Sequence, residues 1–193
     1  MRPGGLQSSP QLFRVEVLVA AGKKSAVRAQ FKLVSPDIRP NGPIAMEQVF
    51  NGFGCSGQNI SPALGWSGAP ADTKSFALLV HDPDAPTGGA GWWHWVLLNI
   101  PASATQLRKD AGRTDGSNLP FGCVQIETDF GAPGWGGPCP PAGDKPHRYN
   151  FTLYALKVEK LDGNDASSSL AGYMINANAL AKAKLTGKFG RKK

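Results

Sequence analysis

The sequence predicts a mainly β fold with one α-helix late in the chain, and three observations carry that prediction. Short runs rich in Val, Leu, Ile, Phe, Tyr and Trp recur between residues 31 and 158, as strands prefer. The 193 residues include 24 Gly and 16 Pro. These crowd the loops between the runs, where a doubly wound α/β chain would carry amphipathic helices. Apolar residues at helical spacing appear once, after residue 165. A chain of this length, 41% hydrophobic, buries a core without metal or disulfide staples. No run approaches the ~18 apolar residues of a membrane span.

Residues 1–29 read as an N-terminal extension, flexible or vestigial. Residues 13–20 suit a strand or the remnant of a signal sequence, but Glu16 interrupts them and Lys23-Lys24 follow. A working secretory signal is therefore not supported. The domain itself is expected over residues 30–190, with a basic tail at 191–193. Its first strand, residues 31–34, ends at Ser35-Pro36. A glycine-rich stretch at 51–57 leads into Asn59-Ile60-Ser61-Pro62. Residues 75–80 are continuously apolar and read as a buried strand, with a proline-rigid turn at 81–86. Residues 92–100 form a second strand closed by Pro101, and residues 148–158 a third. An N-cap lies within 165–169. Leu170, Tyr173, Met174, Ala177 and Leu180 then mark the helix, before a last short strand at 185–189.

The formal charge of +7 suggests a nucleic-acid or membrane-surface partner only until it is located. Residues 1–30 carry +4 and residues 182–193 carry +6, which leaves −3 for residues 31–181. A body of that sign argues against nucleic-acid binding by the core.

Chemistry concentrates at three places. The three histidines, His81, His94 and His147, all lie beside strand ends or turns. Strict alternation puts His94 on one face with Val96 and Leu98, and puts His147 and Tyr149 with Phe151 and Leu153. Each pattern sets an imidazole at the edge of an apolar face, as the rim of a small pocket would. A satisfied core histidine is the plainer alternative. Asp82 and Asp84 flank Pro83, in a stiff turn that suits either a carboxylate held against a histidine or an Asx turn. The loop at 134–143, Gly-Trp-Gly-Gly-Pro-Cys-Pro-Pro-Ala-Gly, suits a backbone anion nest or a tight structural loop. It lacks the Gly-Lys-Ser/Thr of a Walker loop.

Other catalytic signatures are missing, among them G-x-S-x-G, H-E-x-x-H, C-x-x-C and G-x-G-x-x-G. His94, His147 and Asp82 have no metal-ligand spacing, so neither a metal nor a cofactor is expected. A Cys139 nucleophile with His147 has no flanking signature. Cys55 and Cys139 sit in glycine-rich loops and are candidates for a disulfide, which would imply an oxidising compartment. Cys123 is then the odd thiol, a small buried residue beside a strand.

Together these residues resemble the phosphatidylethanolamine-binding protein (PEBP) family, also called Raf kinase inhibitor protein-like. The likeness rests on Asp82-Pro83-Asp84-Ala85-Pro86 and on Trp93-His94-Trp95 running to Asn99-Ile100-Pro101. It continues through Gly136-Gly137-Pro138-Cys139-Pro140-Pro141 and Pro146-His147-Arg148-Tyr149. It extends from about residue 31 to 189 and is greatest for bacterial, periplasmic members. The resemblance implies a β-sandwich of two antiparallel sheets with a pocket for phosphate-like or carboxylate anions, including a phospholipid head group. Its lining would be Asp82, Asp84, Pro86, His94, Pro140, His147 and Tyr149, completed by backbone N–H groups near Gly137 and Cys139. It further implies a non-enzymatic binding protein that modulates a kinase or protease, periplasmic or secreted, with a cytoplasmic site as the alternative. A small hydrolase using His94, His147 and Asp82 is the rival. The oligomeric state is left open, a homodimer included.

Overall fold

The computed structural model describes residue 1, residues 30–163 and residues 165–193. The extension expected over residues 1–29 therefore lies, Met1 apart, outside the described residues. The chain runs β1 (Lys32–Val34), a miniature hairpin of β2 (Asn51–Gly52) and β3 (Cys55–Ser56), and β4 (Leu64–Ser67). It continues through β5 (Ser75–Asp82), β6 (Trp92–Pro101), β7 (Gln106–Leu107), β8 (Val124–Ile126) and β9 (His147–Leu156). Helix α1 (Ser168–Asn178) and β10 (Ala179–Phe189) close it.

Five strands form one antiparallel sheet in the order β10-β9-β5-β6-β8, and β1-β4-β7 form a second. The main core lies between them. Leu33, Leu64, Trp66 and Leu107 of the smaller sheet meet Leu78, Trp95, Leu97, Phe151 and Leu153 of the larger. The other face of the large sheet, with Ala77, Leu79, Val96 and Leu98, is covered by Ala171 and Ile175 of α1. Burial on both faces explains why β5 reads as an unbroken apolar run rather than as an alternation. The mainly β fold, with one helix among the described residues, agrees with the sequence prediction.

Several boundaries differ from expectation. β5 continues to Asp82, so the turn begins at Pro83, and β9 ends at Leu156. β10 spans 11 residues rather than five because it pairs with β9 along nearly its whole length. The helix buries a different face. Ser167 caps it by accepting from the Leu170 N–H, and Ser168, Ala171, Gly172 and Ile175 are its buried residues. Leu170 and Tyr173 stay 49% and 73% exposed, and Leu180 belongs to β10. Small residues, together with Ile175, make up the face turned to the sheet. A Cβ on Gly172 would lie 4.0 Å from the ring of Trp93.

The register of β5 with β6 contains the irregularity that matters most for the site. Val80 pairs with Trp95, but His81 pairs with Trp93, so His94 is skipped. A bulge of this kind places one extra residue on one strand and redirects its side chain. A second shift, between Phe76 and Leu78, takes up Asn99 with φ 59°. The Asn99 side chain bonds Leu161 through both its N–H and its C=O group.

Candidate functional site

The bulge overturns the expected grouping of His94 with Val96 and Leu98. Those two residues face α1, whereas His94 turns to the opposite side, 5.0 Å from the Tyr149 ring and 5.3 Å from Phe130 between centroids. Backbone groups released from the ladder need partners. The His94 carbonyl accepts from the Gly136 N–H at 2.8 Å, and His94 Nδ1–H donates back to the Gly136 carbonyl. The ring is thereby fixed, 3% exposed, in one orientation.

β5 and β9 supply the second imidazole. Asp82, His147 and Tyr149 are all buried. His147 and Tyr149 share their face with Phe151 and Leu153, as alternation predicts. His147 Nδ1–H donates to Asp82 Oδ2 at 2.8 Å, and Asp82 Oδ1 accepts from the Asp84 N–H at 2.8 Å. Asp82 thus orients an imidazole and forms the Asx turn at once. Asp84 does not line the cavity. Its carboxylate takes the Arg148 backbone N–H and guanidinium, which hold it down to about 2. Asp144 Oδ2 lies 3.5 Å from His147 Nε2.

The glycine-rich loop is a structural clamp. The Gly136 N–H is committed to His94, and the Gly137 N–H donates to Asn59 Oδ1 at 2.8 Å. Asn59 also donates to the Trp135 carbonyl. Neither glycine N–H is left for an anion, and Gly137 does not line the cavity. Cys139 forms a disulfide with Cys55, which ties this loop to the β2–β3 hairpin. That bond removes Cys139 as a nucleophile. Arg191 spans both sides of the bridge, donating to the carbonyls of Pro140 and Gly54. Cys123 is a free thiol, half-buried, and burial pushes it up to about 11.

The result is a cavity of about 320 Å³. It gathers Asp82, Pro86, His94, Cys139, Pro140, His147 and Tyr149 from the expected set. It also uses Phe53, Ala85, Thr87, Trp92, Phe130 and Pro141, which sequence reading did not select. Phe53 projects at the lip, 68% exposed, from between two glycines. An aromatic held by glycine on both sides was the available signal. The Tyr149 hydroxyl is buried and has no hydrogen-bond partner, and burial raises its pKa.

Burial lowers the His94 imidazole to about 4, against the pull of the Gly136 carbonyl and the Asp82 charge. The unfolded chain, titrating near 6.5, takes up this proton first. Stability is therefore full above pH 6.5 and is lost as pH falls towards 4. Between pH 7.5 and 4.5 the wild type should lose roughly 2–3 kcal/mol more than His94→Gln. Denaturant unfolding of both proteins at the two pH values checks this.

Comparison with known proteins agrees with the fold. The sequence profile of the phosphatidylethanolamine-binding protein family matches residues 34–190. YbcL of Escherichia coli is 54% identical over 163 residues, covering 84% of this chain and 88% of YbcL. Its crystal structure, described as a new member of the mammalian PEBP family, has a TM-score of 0.82. It covers 85% of this chain and 100% of that one at 53% identity. YbhB of the same organism is 44% identical over 159 residues, 82% of this chain and 99% of YbhB. A Mycobacterium tuberculosis protein named as a candidate lipoprotein, LppC, is 32% identical over 186 residues, 96% of this chain and 85% of its own length. Among the described residues no helix is long and apolar enough to cross a membrane. With its profile, its bacterial relatives and its sheet architecture in accord, the chain belongs to the phosphatidylethanolamine-binding protein family.

Proposed function

We propose that this protein is a binding module whose cavity takes a small phosphoryl or carboxylate group between His94, His147 and Tyr149. The observation that carries the reading is the Tyr149 hydroxyl, buried in the cavity wall and without a protein partner. Buried polar groups are nearly always satisfied, so an unpaired hydroxyl on a residue that lines a cavity marks a place for an acceptor. Apolar walls from Phe53, Trp92, Phe130 and three prolines lower the local dielectric and strengthen any such bond.

A binding role suits this geometry better than the rival hydrolase. The Asp82–His147 pair has the form of an oriented general base, yet no side-chain nucleophile stands beside it among the described residues. Cys139 is in the disulfide, and the Thr87 hydroxyl donates to the Gly91 carbonyl at 2.9 Å. A periplasmic or secreted location suits the disulfide, which an oxidising compartment would preserve.

Tyr149→Phe tests the reading, because its two effects should differ in sign. Loss of a bond to an anion costs about 1.5–3 kcal/mol, so affinity for O-phosphoethanolamine in titration calorimetry should fall at least tenfold. Thermal stability should hold or rise, since the hydroxyl bonds nothing in the protein. Unchanged affinity would refute the site. Ester turnover that disappears in folded His147→Ala would favour the hydrolase.

A further inference from the structure

An anion pocket needs donors, and this one has few. Among the described residues no Lys or Arg lines the cavity. Both imidazoles commit Nδ1–H to acceptors inside the protein, His94 to the Gly136 carbonyl and His147 to Asp82. A neutral imidazole holds one donor and one acceptor nitrogen, so a neutral His94 has only a lone pair left, at Nε2. Thr87 is engaged with Gly91, which leaves the Tyr149 hydroxyl as a side-chain donor without a partner among the described residues.

Building on the anion reading above, we infer that the cavity takes its ligand in the acid form. An O–H of the ligand donates to His94 Nε2, while an anionic oxygen of the same group accepts from Tyr149. A phosphomonoester or phosphonate monoanion carries both groups. A phosphodiester, the linkage in a phospholipid head group, lacks the O–H. No covalent bond breaks; one proton is shared between the ligand oxygen and the His94 nitrogen.

The surroundings of His94 keep the ring neutral before the ligand arrives. Asp82 on β5 and Asp129 after β8 favour its protonation, whereas His81 and burial oppose it, and burial dominates. From β9, His147 is already paired with Asp82, and Tyr149 offers a hydroxyl. Phe130 and Trp135 add only aromatic surface. Asp144, 3.5 Å from His147 Nε2, places further negative charge on that side of the site. A dianion meets the His94 lone pair and a nearby carboxylate, whereas a protonated monoanion brings the O–H that the lone pair accepts.

Titration calorimetry on the full chain tests this with O-phosphoethanolamine as the monoester and glycerophosphoethanolamine as the diester. The second phosphate pKa is near 6, so monoester affinity should fall roughly 50-fold between pH 6 and 8. Buffers of different ionisation heat should then show uptake of about one proton at pH 8. At pH 6 the diester should bind at least tenfold more weakly than the monoester. His94→Gln should flatten the pH dependence, and the ligand comparison on wild-type protein decides the matter if that variant fails to fold. Equal binding of the two esters, or binding independent of pH, overturns the inference and leaves the anion site standing. If neither ester binds, the anion reading itself falls.

Discussion

Gly137→Ala is expected to destabilise the fold by about 3 kcal/mol, although it adds a single methyl group. A Cβ at this position would enter the van der Waals shells of the Gln48 carbonyl oxygen, the Phe50 nitrogen and the Val49 carbonyl carbon. All three are backbone atoms, so no side chain can rotate away, and overpacking of that kind costs 1–3 kcal/mol or more. The shift would also strain the bond from the Gly137 N–H to Asn59 and the bond from the Phe50 N–H to the Pro138 carbonyl. Gly172→Ala is the matched control. It lies inside α1 with only Trp93 within 4.0 Å, so it should stabilise by about 0.4–1 kcal/mol. Denaturant melts of the two variants should move in opposite directions. Equal, small shifts would refute the close backbone contact.

The second large effect should come from the disulfide. Cys55 and Cys139 are separated by 84 residues, so the bridge closes a long loop of the unfolded chain. The chain-entropy relation gives about 4.5 kcal/mol for such a loop, and measured losses commonly reach 2–5. Cys55→Ala combined with Cys139→Ala should therefore lower unfolding free energy by about 2–4 kcal/mol. For a domain of this size that corresponds to roughly 5–15 °C in Tm. The same change frees the hairpin bearing Phe53 from the loop bearing Pro140 and should weaken anion binding. Thiol titration of the native protein should detect the single free Cys123. Three reactive thiols in the untreated native protein, or a double variant as stable as wild type, would contradict this.

The sequence was most legible where burial is simple. The run from Phe76 to Val80 has no polar residue and reads as a buried strand, which it is. His147, Tyr149, Phe151 and Leu153 alternate without a break, and so do their positions in the core. His94 escaped the same rule because the bulge that redirects it leaves no mark in hydrophobic periodicity. Only the pairing of β5 with β6 shows it. The helix misled for a different reason. Leu170 and Tyr173 are the larger apolar residues, but Ala171, Gly172 and Ile175 are the ones turned to the sheet. Strands such as β7 and β8, two and three residues long, are too short for any period to register. In the glycine-rich loop, composition fitted a nest and a clamp equally well. The partners of Gly136 and Gly137 decide for the clamp.

The central claim is that an anion sits between His94 and His147, and the chain has only one other histidine. That makes nitrogen NMR of the imidazoles during titration with O-phosphoethanolamine the most direct measurement. His81 bonds the Ala90 carbonyl through Nε2 and packs against the Trp93 ring, outside the cavity lining, so it serves as an internal reference. The account predicts that the Nε2 signals of His94 and His147 move together, with Nδ1 of both remaining protonated, while His81 stays fixed. Saturated binding that leaves both cavity histidines unmoved, or that moves His81 alone, would contradict it.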